Sequence, residues 1–207
     1  MTNLSITDIR KMENMVQTAE RCTIVTHMKP DGDAMGSSMA MYHFLKASGK
    51  KKVKIVIPDS YPDNLRFLIS DNSEKDILTH TCSPAEADAA VKESDLIICL
   101  DFNAFHRTDR LEKSLEESAA KKILIDHHLN PDTDRFDLVF SETGISSASE
   151  LLYQILVRTT AIGLNAENLP AETATALMTG MTTDTNNFAN SVFPSTLHMA
   201  SALLAAG

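Results

Sequence analysis

The stretch C-T-I-V-T-H-M-K-P-D-G-D, residues 22–33, decides the fold of this chain. Its first five residues are rich in β-branched side chains, which predicts a buried strand over residues 22–26. Pro30 and Gly32 then break the chain, and residues 34–47 predict a helix that stops at Gly49. A strand, a tight loop and a helix in this order begin a βαβ unit.

The same alternation of strand and helix continues along the chain. Apolar runs predict further strands over residues 53–57, 95–100, 123–125 and 137–140. Helices are predicted over the first twenty residues, with Ser5 or Thr7 as the cap, and over residues 84–93, 108–121, 147–161, 170–181 and 201–207. The predicted fold class is therefore α/β, with a parallel, doubly wound β-sheet flanked by helices. We expect residues 1–207 to form one domain.

Composition and charge limit the classes of function. The 207 residues are 43% hydrophobic and 23% charged, which is ordinary for a globular protein with a substantial core. The net charge of −9 argues against binding duplex nucleic acid, although bound metals would still let the chain accept a small phosphorylated substrate. Three scattered cysteines form no C-x-x-C pair, which argues against a structural zinc site or a disulfide framework. Because no apolar run approaches the ~18 residues of a membrane helix, we expect a cytoplasmic protein without membrane contact.

Four short patches carry side chains of the kinds that bind divalent metals. The first three directly follow apolar runs, and in an open parallel sheet the carboxyl ends of the strands meet at one crevice. Carboxylates packed together there would repel one another, and two divalent cations would remove that repulsion. The pattern predicts a two-metal hydrolase; the patches are His27 with Asp31 and Asp33, then Asp101, then Asp126 with His127 and His128, and finally Asp184.

Each patch also has a purely structural interpretation when it is taken alone. Asp31 fits an Asp-Gly turn or a helix cap, Asp101 fits a cap at a strand end, and the D-H-H triplet fits a surface turn. Asp184, which we place just past a helix, is the weakest signal. Independent coincidences would have to put a histidine or an aspartate at each of three strand ends, so we favour the metal site.

The residue types indicate how such a site would be built. Imidazole mixed with several carboxylates suits Mn²⁺ or another mid-series divalent ion. A central Asp101 could bridge two metals about 3.5–4 Å apart through its two oxygens. Two adjacent histidines after a strand can point to opposite sides, so one can bind metal while the other meets substrate. Asp126 is placed to orient an imidazole from behind.

Four motifs together resemble the DHH phosphoesterase superfamily. They are H-M-K-P-D-G-D-A-M-G-S (27–37), the Asp101 motif, D-H-H (126–128) and G-M-T-T-D-T (180–185). The motif P-D-G-D-A-x-G-S is most similar to that of the nanoRNase/pAp-phosphatase branch, and the resemblance to RecJ exonucleases is more distant. The ordered set spans roughly residues 22–190, which is almost the whole chain.

The resemblance implies a dimanganese site and assigns its residues. It implies that His27, Asp31 and Asp101 hold one metal, and that Asp33, Asp101, His127 and Asp184 hold the other, so that Asp101 is the bridge. It implies that His128 contacts the scissile phosphate. Small polar residues near the substrate in relatives correspond here to Ser37, Ser146, Ser147 and Ser149.

Two departures from the family pattern bear on substrate binding. Family members carry a second, C-terminal DHH-associated domain with a Gly-rich motif that grips the nucleotide. No such segment follows here, so we expect an isolated catalytic domain or a piece of a longer protein. Asn186 and Asn187 stand where many relatives have a Gly after the Asp-Thr pair, so local substrate contacts are expected to differ.

The leading hypothesis is a manganese-dependent phosphoesterase in which a two-metal-activated hydroxide cleaves short oligoribonucleotides, pAp or linear dinucleotides. One alternative is a manganese-dependent inorganic pyrophosphatase, whose first motif usually has Asn before Pro and Thr between the two aspartates. Lys29 and Gly32 occupy those places here, which disfavours it. Another alternative is a non-catalytic nucleotide-binding module. A homodimer is plausible, but no particular residue indicates one.

Overall fold

A computed structural model describes residues 4–207 and shows a six-stranded parallel sheet with helices on both faces. The strand order is β3-β2-β1-β4-β5-β6. The strands are β1 Arg21–Val25, β2 Lys52–Ile57, β3 Ile77–Thr79, β4 Leu96–Leu100, β5 Lys121–Asp126 and β6 Leu138–Ser141. The helices are α1 Ile6–Thr18, α2 Gly32–Ala47, α3 Asp71–Glu74, α4 Pro84–Lys92, α5 Glu112–Glu117, α6 Ala148–Leu156, α7 Ala171–Asp184 and α8 Pro194–Ala206. The predicted fold class is confirmed.

The structure differs from the sequence prediction where elements are short or irregular. Strand β3 was not predicted, because three half-buried residues are too few to show an alternating pattern. The helix predicted over residues 108–121 is wrong in its first half: Phe105–Leu111 is a 3-10 segment with a left-handed residue, Asp109, and only α5 follows it as α-helix. The helix predicted over residues 147–161 ends at Leu156 as α6. Ser5 is the cap of α1, since its side chain accepts from the Asp8 N–H.

Side chains that alternate along the strands pack into two separate hydrophobic cores, one on each face of the sheet. Ile24, Ile55 and Ile98 face the larger core, which is covered by α1, α2, α6 and α7. Their neighbours Val25 and Val56 face the smaller core beneath α4 and α5. A strand buried on both faces reads as a continuous apolar run, which is why β4 has no polar residue.

Strand order changes direction between β1 and β4, which are adjacent in the sheet although other strands lie between them in sequence. Helices that follow strands on either side of this point leave the sheet on opposite faces, so a crevice opens at the carboxyl ends of β1 and β4. The loops that leave these two ends carry His27 and Asp101. The topology therefore positions the predicted site.

Helices α2 and α7 approach each other closely because glycines form part of their contact. A Cβ added to Gly36 would lie 2.7 Å from the Ala176 carbonyl oxygen and from the Gly180 nitrogen, which are backbone atoms of α7. A Cβ added to Gly32 would overlap the Thr183 side chain. This close approach brings the end of α7 to the crevice. Over the described residues, no helix is long and apolar enough to cross a membrane.

Candidate metal centre

Side chains from three neighbouring strand ends meet in the crevice. His27 lies two residues beyond β1, Asp101 directly follows β4, and His127 directly follows β5. The Thr26 hydroxyl donates to the Leu100 carbonyl (2.9 Å), and the Asp101 N–H donates to the Ile125 carbonyl (3.1 Å). These two hydrogen bonds hold the three strand ends in register beyond the sheet itself.

Asp101 lies at the centre of the cluster. Its Oδ2 is 3.4 Å from His27 Nε2, and its Oδ1 is 3.4 Å from His127 Nε2. The side chain is buried, yet Oδ1 has no hydrogen-bond partner among residues 4–207. Its backbone has φ +62°, a left-handed conformation that is held at a cost and that concentrates at functional sites. Burial raises the pKa of Asp101, but the adjacent imidazoles of His127 and His27 outweigh burial and lower the pKa below its ordinary value.

His27 presents a fixed ring nitrogen to the crevice. Its Nδ1 is 2.8 Å from the Met28 carbonyl oxygen, which can only accept, so Nδ1 carries a proton and Nε2 is the ring nitrogen that faces Asp101. A carbonyl behind the ring is the usual partner of a metal-bound histidine. In the protein without metal, burial lowers the pKa of His27, but the hydrogen bond and charge of Asp101 raise it above its ordinary value.

Asp31 fits both interpretations that the sequence allows, a helix cap and a candidate metal ligand. It is the N-cap of α2, where Oδ1 accepts from the N–H groups of Asp33 (3.0 Å) and Ala34 (3.1 Å). The same Oδ1 lies 3.9 Å from His27 Nε2, and the side chain is 63% exposed. The cap fixes the position of Asp31, and the residue lines a small cavity together with Asp33 and Asp184.

Asp33 is held by the beginning of another helix. Its Oδ2 accepts from the Ala148 N–H (2.6 Å) and its Oδ1 from the Ser149 N–H (2.9 Å), the first two residues of α6. A helix N-terminus stabilises a negative charge. Burial, and after it the charge of Asp101, nevertheless hold the pKa of Asp33 well above its ordinary value.

His127 and Asp184 complete the inner side of the cluster. His127 Nε2 lies 3.6 Å from Asp184 Oδ2 and 3.9 Å from Asp33 Oδ2. Burial lowers the pKa of His127, but the Asp101 hydrogen bond and the charges of Asp33, Asp101 and Asp184 raise it to about 9. A proton on His127 thus offsets carboxylate charge when no metal is bound.

The position of Asp184 corrects the sequence prediction. It does not follow a helix but is the last residue of α7, which runs three residues beyond the end at Met181 predicted from sequence. A carboxylate at a helix C-terminus adds to the negative end of the helix dipole. Burial raises the pKa of Asp184, His127 lowers it, and Asp101 and Asp31 contribute to a net raised value. Such a carboxylate is favourable only beside positive charge.

The ligand atoms fall into three overlapping groups, and within each group they lie within 4.8 Å of one another. Asp101 belongs to two of these groups, and its Oδ1 is a buried carboxylate oxygen without a hydrogen-bond partner in the described residues. Imidazole nitrogen with several carboxylate oxygens is a donor set that fits Mn²⁺ or a similar divalent ion. The residues present therefore fit a metal centre; the groups are His27–Asp31–Asp101, Asp33–His127–Asp184 and Asp101–His127–His128.

Asp126 and His128 form a pair at the outer edge of this centre. Asp126 is fully buried; its Oδ1 lies 2.7 Å from His128 Nδ1, and its Oδ2 accepts from the His128 N–H (3.1 Å). The carboxylate keeps the proton on Nδ1, so Nε2 of a side chain that is 39% exposed remains available. This is a suitable arrangement for an imidazole that exchanges a proton with a substrate.

The four serines that the resemblance places near the substrate are held by hydrogen bonds around Asp33 and the beginning of α6. All are buried: the Ser37 hydroxyl donates to the Asp33 carbonyl (2.7 Å), and Ser147 is the N-cap of α6. Ser149 meets Asp33 through its backbone N–H, and Ser146 bonds to Glu150. Ser37 and Ser149 thus contact Asp33 directly, whereas Ser146 and Ser147 order the beginning of α6.

Sequence reasoning missed the glycines and backbone groups that shape the site. A Cβ on Gly180 would overlap Ser149 and lie 2.8 Å from Asp33 Oδ1, so only glycine lets α7 pass this close to the carboxylate. The signal was available, because Gly36 and Gly180 interrupt two predicted helices. Beside them is a cavity of about 70 Å³, which is large enough for an ion and a water molecule or two; it is lined by Asp31, Gly32, Asp33, Thr183 and Asp184.

The fold and site define a doubly wound α/β domain with an aspartate-histidine cluster at its switch point that could hold divalent metal. A model of the DHH family, N-terminal domain, matches residues 21–181, which is most of the chain and all of the centre except Asp184. The chain belongs to the DHH family of phosphoesterases.

Three known proteins show how the similarity extends. The chain is 33% identical to the bifunctional oligoribonuclease and PAP phosphatase NrnA of Thermus thermophilus, over 89% of this chain and 49% of that protein. The crystal structure of an exopolyphosphatase-related protein from Bacteroides fragilis is 36% identical and superposes with a TM-score of 0.90 on 100% of this chain and 58% of its own. Exonuclease RecJ bound to manganese superposes with a TM-score of 0.59 at 17% identity, over 99% of this chain and 49% of its own, which shows the shared fold. The chain spans about half the length of the NrnA proteins it matches. It spans a smaller share of the cyclic-di-AMP phosphodiesterase PdeA.

Proposed function

We propose that this chain binds two Mn²⁺ ions and hydrolyses a phosphoester bond in short oligoribonucleotides or pAp, releasing mononucleotides. The observation that carries the proposal is Asp101, a buried carboxylate shared by two ligand groups, one of whose oxygens has no hydrogen-bond partner in the described residues. An unpaired buried carboxylate oxygen is costly unless a cation meets it. Two cations close together are the arrangement that phosphoester hydrolases use.

The proposed ligand roles are those that the family resemblance implies, and the groups that the side chains form support them. His27, Asp31 and Asp101 would hold one ion, while Asp33, Asp101, His127 and Asp184 would hold the other. When bound, the pair of cations would lower the pKa of a water molecule and neutralise the phosphoryl oxygens. The Asp126–His128 pair would place Nε2 of a partly exposed imidazole near the leaving oxygen, where it could exchange a proton with the substrate.

The charge of the protein makes substrate binding dependent on metal. The net charge is −9, and four aspartates of the centre converge on one crevice. Without cations, this crevice repels phosphate. A bound pair of divalent ions reverses the local charge. The choice of short ribonucleotides rests on NrnA of Thermus thermophilus, whose name describes an oligoribonuclease and PAP phosphatase.

The alternative is hydrolysis of an inorganic phosphoanhydride. It is favoured by the similarity to the exopolyphosphatase-related protein of Bacteroides fragilis. It is disfavoured at Gly32, where the pyrophosphatase pattern has Thr. A side chain at this position would overlap Thr183 on α7, so the close packing of α2 and α7 requires glycine here.

The decisive experiment compares three substrates on one purified protein. With Mn²⁺ present, products are followed from pAp, a 5′-phosphorylated diribonucleotide and pyrophosphate, and each reaction is repeated with a chelator. We expect mononucleotide from at least one of the two nucleotides, and no turnover after chelation. Asp101→Ala is the matched variant, and it should remove turnover while the circular dichroism spectrum stays that of the wild type.

The outcomes separate the candidate functions. Cleavage of pyrophosphate alone would replace the proposal with the phosphoanhydride alternative. Wild-type turnover by Asp101→Ala would remove the assignment of the metal bridge. Binding of a nucleotide without turnover of any substrate would make the chain a nucleotide-binding module.

A further inference from the structure

Glu150 is a fully buried carboxylate that the proposed reaction does not use. It lies in the first turn of α6, in a part of the protein whose other buried residues are mostly apolar. Burying a carboxylate is costly unless hydrogen bonds satisfy its oxygens. Its position therefore calls for a structural or functional reason.

The carboxylate of Glu150 joins three separate segments. Its Oε2 accepts from the Ser146 N–H (3.2 Å), the Ser146 hydroxyl (2.5 Å) and the Thr196 hydroxyl (2.7 Å). Its Oε1 accepts from Gln154 Nε2 (3.3 Å). This one side chain therefore links the loop before α6, α6 itself and the beginning of α8 by hydrogen bonds.

The loop fastened in this way sets the N-terminus of α6. Ser146 immediately precedes Ser147, the N-cap whose hydroxyl accepts from the Glu150 N–H (3.0 Å). The next two N–H groups, of Ala148 and Ser149, are the donors to Asp33. A path of hydrogen bonds therefore leads from Glu150 through the first turn of α6 to one metal ligand.

We propose that Glu150 is a positioning residue that holds the N-terminal turn of α6 so that Asp33 can bind metal. This inference rests on the two-metal site proposed above. It concerns one ion only, because the N–H groups of α6 donate to Asp33, which belongs to the group with His127 and Asp184. Loss of Glu150 should therefore weaken one metal position and spare the other.

The test is a Mn²⁺ titration read by electron paramagnetic resonance, which distinguishes an isolated ion from a coupled pair, together with calorimetric stoichiometry. For Glu150→Ala we expect affinity at one position to fall about 10- to 100-fold, as for other residues that orient metal ligands. The signal at two equivalents should then be that of an isolated ion. Glu150→Gln should rescue the coupled signal, since its carbonyl oxygen can accept from Ser146 and Thr196 while Gln154 turns its amide.

A control separates positioning from general loss of stability. Leu115→Ala opens a cavity in the core on the other face of the sheet, so it should lower the thermal midpoint and leave both metal affinities unchanged. If Glu150→Ala does not fold, the double variant Ser146→Ala with Thr196→Val removes both hydroxyl donors and keeps the carboxylate. Its Mn²⁺ affinity should be weaker than that of Leu115→Ala.

The results have distinct meanings. Two equal, unweakened Mn²⁺ positions in folded Glu150→Ala, or in the double variant, would overturn the role of Glu150. Equal weakening of both positions would also overturn it, because the inference concerns the Asp33 group alone. If the wild-type protein binds no Mn²⁺, the proposed function itself fails, which is a different result from either of these.

Discussion

At the residue scale, the site depends on histidines whose protons are assigned by their neighbours. The Met28 carbonyl keeps the proton of His27 on Nδ1, and Asp126 keeps the proton of His128 on Nδ1. In both cases Nε2 is the atom left for function. The difference is where Nε2 points: that of His27 faces Asp101, whereas His128 lies at the exposed edge.

The exposed histidine supports a prediction about turnover. His128→Ala should lower kcat by about 10²- to 10⁴-fold at saturating Mn²⁺, because a positioned acid or base contributes on that order. Steady-state cleavage of pAp measures it, and His106→Ala, which changes an exposed histidine after β4, is the control. If kcat is unchanged, proton transfer by His128 is not part of the reaction. If Mn²⁺ affinity falls instead, His128 is a metal ligand.

Asp76 allows a prediction about pH and stability away from the site. Burial raises its pKa, but hydrogen bonds from Lys54 (2.9 Å) and Tyr42 (2.8 Å) lower it below the ordinary value. A carboxyl with a lowered folded-state pKa stabilises the protein fully above its unfolded pKa of about 3.9, and this contribution is lost as pH falls through the folded value. Asp76→Asn should therefore cost about 1–2 kcal/mol at pH 7 and progressively less below pH 4.

Urea unfolding of Asp76→Asn at pH 7 and at several values below pH 4 measures this difference. Asp134→Asn, which changes an exposed aspartate, should behave like the wild type throughout. A difference that stays constant down to the lowest pH would show that the carboxylate charge of Asp76 is not what stabilises the fold.

At the element scale, the contact of α2 with α7 decides whether the centre forms. Helix α2 carries Asp33 at its start, and α7 carries Asp184 at its end. Gly36 lies in the contact between them. The two helices are far apart in sequence, so the packing of one on the other, and not a local loop, places these carboxylates together.

Gly36→Ala tests that contact. The added Cβ would meet backbone atoms of α7 at 2.7 Å, and backbone cannot move aside as a side chain can. We expect a loss of about 1–3 kcal/mol of stability, typical of an overpacked interior, together with weaker Mn²⁺ binding. Thermal unfolding and metal titration measure the two effects. Gly144→Ala is the matched control, because its Cβ would meet only the flexible end of Glu142 at 3.3 Å.

Helical and strand periodicity explain why much of the fold was predictable. The run from Leu96 to Leu100 is apolar throughout, as a strand buried on both faces must be, and its end at Asp101 marked the crevice. The sequence could not show that Asp184 ends a helix, because Thr182, Thr183 and Asp184 are poor helix formers whose conformation is set by packing against α2. The hydrogen bonds from α6 to Asp33 could not be predicted either, because backbone N–H groups are the same for nearly every residue type and leave no pattern in the sequence.

At the scale of the whole molecule, the crevice brings several carboxyl groups of like charge close together. Asp33 and Asp184 both have raised pKa values, with burial the first cause and Asp101 among the others. A carboxyl whose folded-state pKa is raised destabilises the fold when it is ionised, so this part of the stability falls as pH rises above the unfolded pKa of about 3.9. The metal-free protein should therefore be less stable at neutral pH than its core alone would allow.

Metal binding should reverse that cost, which can be measured as a thermal shift. A ligand at 100 times its Kd adds about 2.7 kcal/mol for each site, and about 1 kcal/mol moves the midpoint of a domain this size by roughly 2–4 °C. We expect Mn²⁺ to raise the midpoint of the wild type by several degrees. Asp184→Asn should raise the metal-free midpoint, because it removes a negative charge held close to those of Asp33 and Asp101, and should reduce the shift that Mn²⁺ produces. Glu93→Gln, an exposed change at the end of the sheet opposite the crevice, should alter neither value. If Asp184→Asn instead lowers the metal-free midpoint and leaves the Mn²⁺ shift intact, Asp184 stabilises the fold directly and the second metal position must be built without it.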